Sequence, residues 1–313
     1  MATLLAPRRI RKVVNYLRYY WSLYLMLLLP LLYFAIFRYI PMSYILIAFK
    51  KYSLFQSVWE MPWADHWGFE YFVRAFSNRD FLNALRNTLM LNFLDLLVGF
   101  PAPILFALLL NELPFMRFKR FTQTVTYMPH FLSWVIIAGL AVQVFAPQTG
   151  LVNIALRRMG FDPIPFLTEP GWWVATYVFL GVWKSLGWNS IIYLAALTGI
   201  NPELYEAAEI DGANRWQKIR YVTLPGIRPT IITLLILNLG QILSSDFDRP
   251  YALSNALVYD VSNVLATYVY TYGIRGLQFS LTTAVGLFQS VVCVIFLFAA
   301  NALAKRYGER GVW

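Results

Sequence analysis

The stretch Asn201-Pro202-Glu203-Leu204-Tyr205-Glu206-Ala207-Ala208-Glu209-Ile210-Asp211-Gly212-Ala213-Asn214-Arg215-Trp216, continuing to Leu224-Pro225, lies between two long apolar runs, Trp172 to Thr198 and Ile227 to Ser245. Its chemistry is that of a short helical hairpin. Asn201 is a good N-cap, Pro202 suits the first helical position, and Glu203 and Glu206 place negative charge near the positive end of the helix dipole. Asp211-Gly212 breaks that helix. A second short helix is expected from Ala213 to Tyr221, carrying Arg215, Lys218 and Arg220 and closed by Pro225 before the next run begins.

The runs on either side set the fold class. A bilayer core about 30 Å thick needs about 20 apolar residues per helix, and six segments qualify: Trp21–Pro41, Leu85–Leu110, Phe121–Ala146, Trp172–Thr198, Ile227–Ser245 and Leu281–Ala304. The composition agrees, with 59% of the 313 residues hydrophobic and 13% charged, far from the balance of a soluble domain. The expected fold is therefore an all-α polytopic membrane protein with six transmembrane helices. Cys293 stands alone, and His66 and His130 are far apart, so no disulfide or His/Cys metal site is expected within one copy. The net charge of +10 is divided among short clusters between apolar runs, which fits a membrane and excludes a nucleic-acid face.

Orientation follows from those clusters, because Lys and Arg are retained on the cytoplasmic side. With both termini inside, fifteen basic residues fall on inner segments and eight on outer ones. The inner set includes Arg8, Arg9, Arg11, Lys12, Arg117, Lys119, Arg120, Arg215, Lys218, Arg220, Lys305, Arg306 and Arg310. Trp21, Trp172, Trp173 and Tyr307 are expected as interfacial anchors. The expected division is a cytoplasmic segment over 1–20, a first helix over 21–48, an outer loop over 49–84, a five-helix core over 85–304 and a cytoplasmic tail over 305–313. Within the core, the hairpin loop covers 199–226, and 246–280 is a folded outer segment.

The pattern Glu206-Ala207-Ala208, three residues, Gly212, nine residues, then Val222-x-Leu224-Pro225 resembles the EAA loop of ABC importer permeases, with Val222 where isoleucine is usual. Tyr20-Trp21-Ser22-Leu23-Tyr24-Leu25-Met26, Tyr39-Ile40-Pro41-Met42, Ile47-Ala48-Phe49-Lys50, the run Trp183 to Tyr193, and Leu257-Val258-Tyr259-Asp260 look like the polysaccharide-type permeases of the LplB group. The alginate importer permeases are similar in kind. The resemblance implies a type I importer permease of the MalF-like superfamily in the bacterial inner membrane. It implies that Glu206, Ala207, Ala208, Asp211, Gly212, Leu224 and Pro225 couple the chain to an ATP-binding subunit. Two such subunits would carry ATP and Mg, and a second homologous permease, favoured as a heterodimer, would complete the path. An extracytoplasmic solute-binding protein would deliver the oligosaccharide. The chain itself has no G-x-x-x-x-G-K-[ST] phosphate loop, binds no cofactor on this reading and is not an enzyme.

Polar residues inside spans tend to face a cavity or a partner helix, which makes Trp183, Lys184, Trp188 and Asn189 in the fourth run candidates for the substrate pathway. Asn238 and Gln241 in the fifth run and Asn92 and Asp95 in the second join them, with Asp95 able to pair with Lys184. Each has a plainer use as interhelical glue. Arg38, Arg86 and Lys184 outnumber Asp95 among embedded charges, which favours an anionic sugar. A permease for peptides or lipid-linked solutes shares the hairpin; an ion-coupled secondary transporter does not need it.

Overall fold

Apolar runs of the expected length fold as helices. The computed structural model describes residues 15–244, 246–306, 308 and 311. The expected cytoplasmic cations Arg8, Arg9, Arg11, Lys12 and Arg310, the anchor Tyr307 and Ser245 at the end of the fifth run lie outside the described residues. The described chain is helical, with one isolated antiparallel bridge between Lys50 and Trp63 as its only extended pairing among the described residues.

The chain divides into two units, Met1–Tyr71 and Phe72–Trp313. The first contains helix α1, Trp21–Phe49. The chain after α1 turns back on its end, where Ala64 N–H donates to Phe49 O at 2.9 Å. Lys50 Nζ donates inside that turn to Val58 O at 2.8 Å and Trp59 O at 3.1 Å.

The second unit contains α2 (Arg79–Asn111), α3 (Met116–Phe131), α4 (Trp134–Phe145), α5 (Pro170–Thr198), α6 (Pro202–Ile210), α7 (Arg215–Leu239) and α8 (Phe279–Arg306). Of the described helices, α1, α2, α7 and α8 are long and apolar enough to cross a membrane. The pair α3 and α4 makes a fifth if it counts as one bent span. Helix α5 has the length, at 29 residues, but Lys184, Ser185, Asn189 and Ser190 dilute its apolar character. Two apolar cores stabilise the unit. Leu91, Ile137, Trp173, Tyr177, Leu180, Leu253 and Val264 form one. Ile104, Ala107, Leu108, Tyr193, Leu197 and Ile227 form the other.

Two expectations are corrected. The third run is not one helix: α3 and α4 meet at 107°. Pro129 withdraws a backbone donor, Leu132 and Ser133 are extended, and Ser133 starts a new helix by accepting from Ile136 N–H. The second helix of the hairpin does not end at Pro225. It begins at Arg215, under a reciprocal cap between Asn214 and Gln217, and runs unbroken to Leu239. A wide turn over Ile219–Thr223, where Leu224 N–H reaches Ile219 O five residues back, admits the proline. Two further wide turns precede prolines in the same way, Ala35–Tyr39 before Pro41 and Asp95–Gly99 before Pro101.

Residues 246–278 form several short helices, including Asp248–Leu253 and Leu265–Val269. Fully buried Asn87 of α2 fastens them, donating to Asp260 O at 2.7 Å and Asn263 O at 2.9 Å. Asn87→Ala strands two carbonyls and is expected to destabilise the protein by about 2–3 kcal/mol. The drop in thermal midpoint of the purified protein in detergent measures it.

Candidate functional site

Between the two cores along α2 and α5 lies a cavity of about 600 Å³. Its walls come from α2 (Asn92, Asp95, Gly99), α5 (Gly181, Ser185, Asn189, Tyr193), the end of α7 (Asn238) and the following chain (Gln241, Ser244, Asp246, Arg249). Five of the expected pathway residues therefore meet at one site: Asn92, Asp95, Asn189, Asn238 and Gln241. Gln241 lies just beyond the last turn of α7, whose C-cap is Gly240.

Trp183, Lys184 and Trp188 do not line the cavity. Each residue advances a helix by about 100°, so Lys184 and Asn189, five apart, point about 140° away from each other. Asn189 shares its face with Ser185, while Trp188 shares the face of Lys184. Lys184 turns instead to the break between α3 and α4, donating to His130 O at 2.8 Å and to Leu132 O. Its ammonium lies 5.5 Å from the centre of the Trp134 ring. Trp188 stacks on His130 with ring centres 4.3 Å apart. Trp188 thus packs on the bend, and no Lys184–Asp95 pair forms.

Asp95 pairs with Arg249, a residue assigned from the sequence to the folded outer segment 246–280. Arg249 Nη1 donates to Asp95 Oδ2 at 2.6 Å and Nη2 to Oδ1 at 3.2 Å. Nη2 also donates to Tyr177 O at 2.6 Å, and the guanidinium lies 3.6 Å from the Tyr177 ring centre. Gly181 leaves space for it, since a Cβ there would fall 2.2 Å from Nη2. The signal in the sequence was Asp95 itself, because an acid at mid-span requires a cation. Asn92 donates to Ile242 O at 2.7 Å.

The hairpin is built much as its residues dictate. Asn201 Oδ1 accepts from Glu203 N–H at 3.1 Å. After Ile210 the chain reverses, with Ala213 N–H reaching Ala208 O at 2.9 Å and Gly212 at φ +76°. No atom lies within 4 Å of a Cβ built on Gly212, so backbone conformation, not space, requires glycine there. Lys218 donates to Glu209, and that bond holds the exposed Glu209 carboxyl below its ordinary pKa. Tyr205 OH meets Thr223 Oγ1 at 3.0 Å, tying α6 to α7. Glu206, Ala207 and Ile210 stand exposed, Ala208 is half-buried, Leu224 packs on the second core, and Pro225 is exposed inside α7.

Residues 82–309 match the family described as binding-protein-dependent transport system inner membrane component. The chain is 45% identical over 291 residues to Protein LplB of Bacillus subtilis (strain 168), covering 93% of this chain and 91% of that one. It is 43% identical to the polygalacturonan/rhamnogalacturonan transport system permease protein YteP of the same organism, covering 93% and 90%. It is also similar to a chain in the crystal structure of a bacterial ABC transporter involved in the import of the acidic polysaccharide alginate. There the identity is 41% and the TM-score 0.86, over 94% of this chain and 99% of that one. A second structure, the alginate ABC transporter in complex with an alginate pentasaccharide-bound periplasmic protein, gives a TM-score of 0.87 at 41% identity, over 95% and 99%.

The different uses of Lys184 and Asn189 yield a paired expectation. Lys184→Met removes the donor to two carbonyls and is expected to destabilise the protein by about 2–4 kcal/mol. Asn189→Ala, on the open cavity face, is expected to change stability by less than about 0.5 kcal/mol. Thermal midpoints of the two variants in detergent test the contrast.

Proposed function

This chain belongs to the binding-protein-dependent transport system inner membrane components, and from that membership we propose that it is the permease subunit of an ABC importer for acidic oligosaccharides. Its fold is the all-helical type I permease fold. The observation that carries the reading is the hairpin. Ala207 and Ile210 offer open small and apolar groups beside the exposed Glu206 carboxylate, Gly212 reverses the chain behind them, and α7 continues from the hairpin without a break.

On this reading α6 seats in a groove of an ATP-binding subunit. Ala207 and Ala208 allow close approach, while Glu206 and Asp211 supply polar contacts. Two such subunits bind ATP and Mg and hydrolyse the ATP; this chain holds neither. Both termini and the hairpin lie in the cytoplasm, and 246–278 lies outside. The cavity has walls from α2, α5 and α7, and a second homologous permease supplies the remaining side. An extracytoplasmic solute-binding protein delivers the cargo, in keeping with the periplasmic protein of the alginate complex.

Asn189, Asn238 and Gln241 offer carboxamide donors and acceptors suited to sugar hydroxyls. The acidic character of the cargo rests on the kinship with YteP and the alginate transporter. It draws nothing from Lys184, whose ammonium is taken up by backbone carbonyls.

In proteoliposomes holding the complete transporter and its solute-binding protein, ATP is expected to drive uptake of labelled uronic-acid oligomers. ATP-independent uptake, or none with any oligosaccharide, overturns the proposal. Gly212→Ala forces a side chain into a left-handed conformation at about 1 kcal/mol and is expected to reduce co-purification of the ATP-binding subunit several-fold. Gly212→Pro, whose ring cannot adopt that φ, is expected to abolish it.

A further inference from the structure

One guanidinium joins the wide turn of α2 and the start of α4 after its bend to the unbroken α5. Arg249 is 7% exposed and sits on the short helix Asp248–Leu253, at the end of the cavity nearest residues 246–278. Its partner Asp95 is the first residue of the wide turn in α2. The Trp134 ring, 5.4 Å from the guanidinium, belongs to the first residue of α4 after the 107° bend. On α5 it meets Tyr177 O and bare Gly181. Arg249 Nε is buried without a partner, so the arrangement leaves one donor unmet.

We infer that Arg249 is a positioning residue of the transport cycle, a latch that holds the outer end of the cavity shut by joining the 246–278 segment to α2, α4 and α5. The inference rests on the importer reading for its direction, since that reading makes this end the outer one. Two features favour a latch over inert packing. The Asp95 side chain is 30% exposed on the cavity wall, whereas the apolar cores lie above and below it. A two-pronged charge pair is also either made or broken, and buried pairs kept for stability alone are replaceable by apolar residues. Wide turns and broken helices are where a span bends with least loss of hydrogen bonds. A single contact on two such points, braced against the regular helix α5, sets their relative positions.

The test uses cells carrying the intact transporter with Cys293→Ser and a reporter, Asn238→Cys, on the cavity wall. A membrane-impermeant maleimide is added outside. Slow labelling is expected in this parent, at least ten-fold faster labelling with Arg249→Met or Asp95→Asn, and slow labelling again with Asp95→Arg and Arg249→Asp combined. Fast labelling in the parent, equal labelling in parent and Arg249→Met, or no recovery in the exchanged pair overturns the inference. Should Arg249→Met fail to accumulate, Arg249→Lys keeps the charge and loses the two-pronged fork. Labelling at the parent rate then overturns the latch, and faster labelling supports it. No cargo enters the measurement, so a failed uptake assay strikes the proposed function and leaves this outcome untouched.

Discussion

A carbonyl oxygen that leaves its helix inside a bilayer has no water to turn to, and this demand decides where the polar side chains of the 72–313 unit go. At the break between α3 and α4, the released oxygens of His130 and Leu132 accept from Lys184. Where α7 unwinds, Ile242 O accepts from Asn92 and Leu243 O from Gln289 of α8. Leu253 O, at the end of its short helix, accepts from the Trp173 indole at 2.9 Å. Arg249 is held differently, donating to Tyr177 O inside the unbroken α5 while it grips Asp95. The cavity is what remains among these fastenings, and even there Asn92 and Asn238 each spend a donor on a backbone carbonyl.

Proline poses the same problem from the donor side. Pro41, Pro101 and Pro225 each lie inside a long helix, and each follows by two residues a wide turn with bonds reaching five residues back. The wider turn moves the carbonyl that the ring would strike and keeps the remaining bonds made. These prolines therefore mark pliable points in continuous helices. In α2 that point coincides with Asp95, which joins helix irregularity to the charged pair on the cavity wall.

These facts explain what could be read from the residues and what could not. The positions of most helices and the first half of the hairpin were legible because apolar run length, the cap at Asn201 and the turn at Gly212 act locally. The carboxamide wall was half legible. Asn92 and Asp95 share a helix face at a spacing of three, but Lys184 and Asn189 were grouped by proximity in sequence although their helical angles oppose them. Arg249 was hidden because no local pattern shows that a segment following a span folds back into it. Reading Pro225 as a stop failed because its accommodation depends on the five residues before it, a longer-range bonding pattern than turn propensity encodes.

The continuity of α7 gives the coupling proposal a mechanical form. From Arg215 to Leu239 the helix is 25 residues long, about 37 Å at 1.5 Å per residue. Its first turn belongs to the hairpin, and its far end carries Asn238 on the cavity. Tyr205 ties α6 to this rod at Thr223, so a displacement of the hairpin moves the rod as well as the loop. At the far end Asn92 and Gln289 grip the carbonyls just past the helix, and Arg249 follows within a few residues. A push on α6 would thus reach the α2 wide turn through Asn92 and the latch through the chain after Gly240. Two short separate helices, as expected from the sequence, would have no bonded backbone across Pro225, whereas the wide turn there lets α7 bend and keeps the bonds that carry the push.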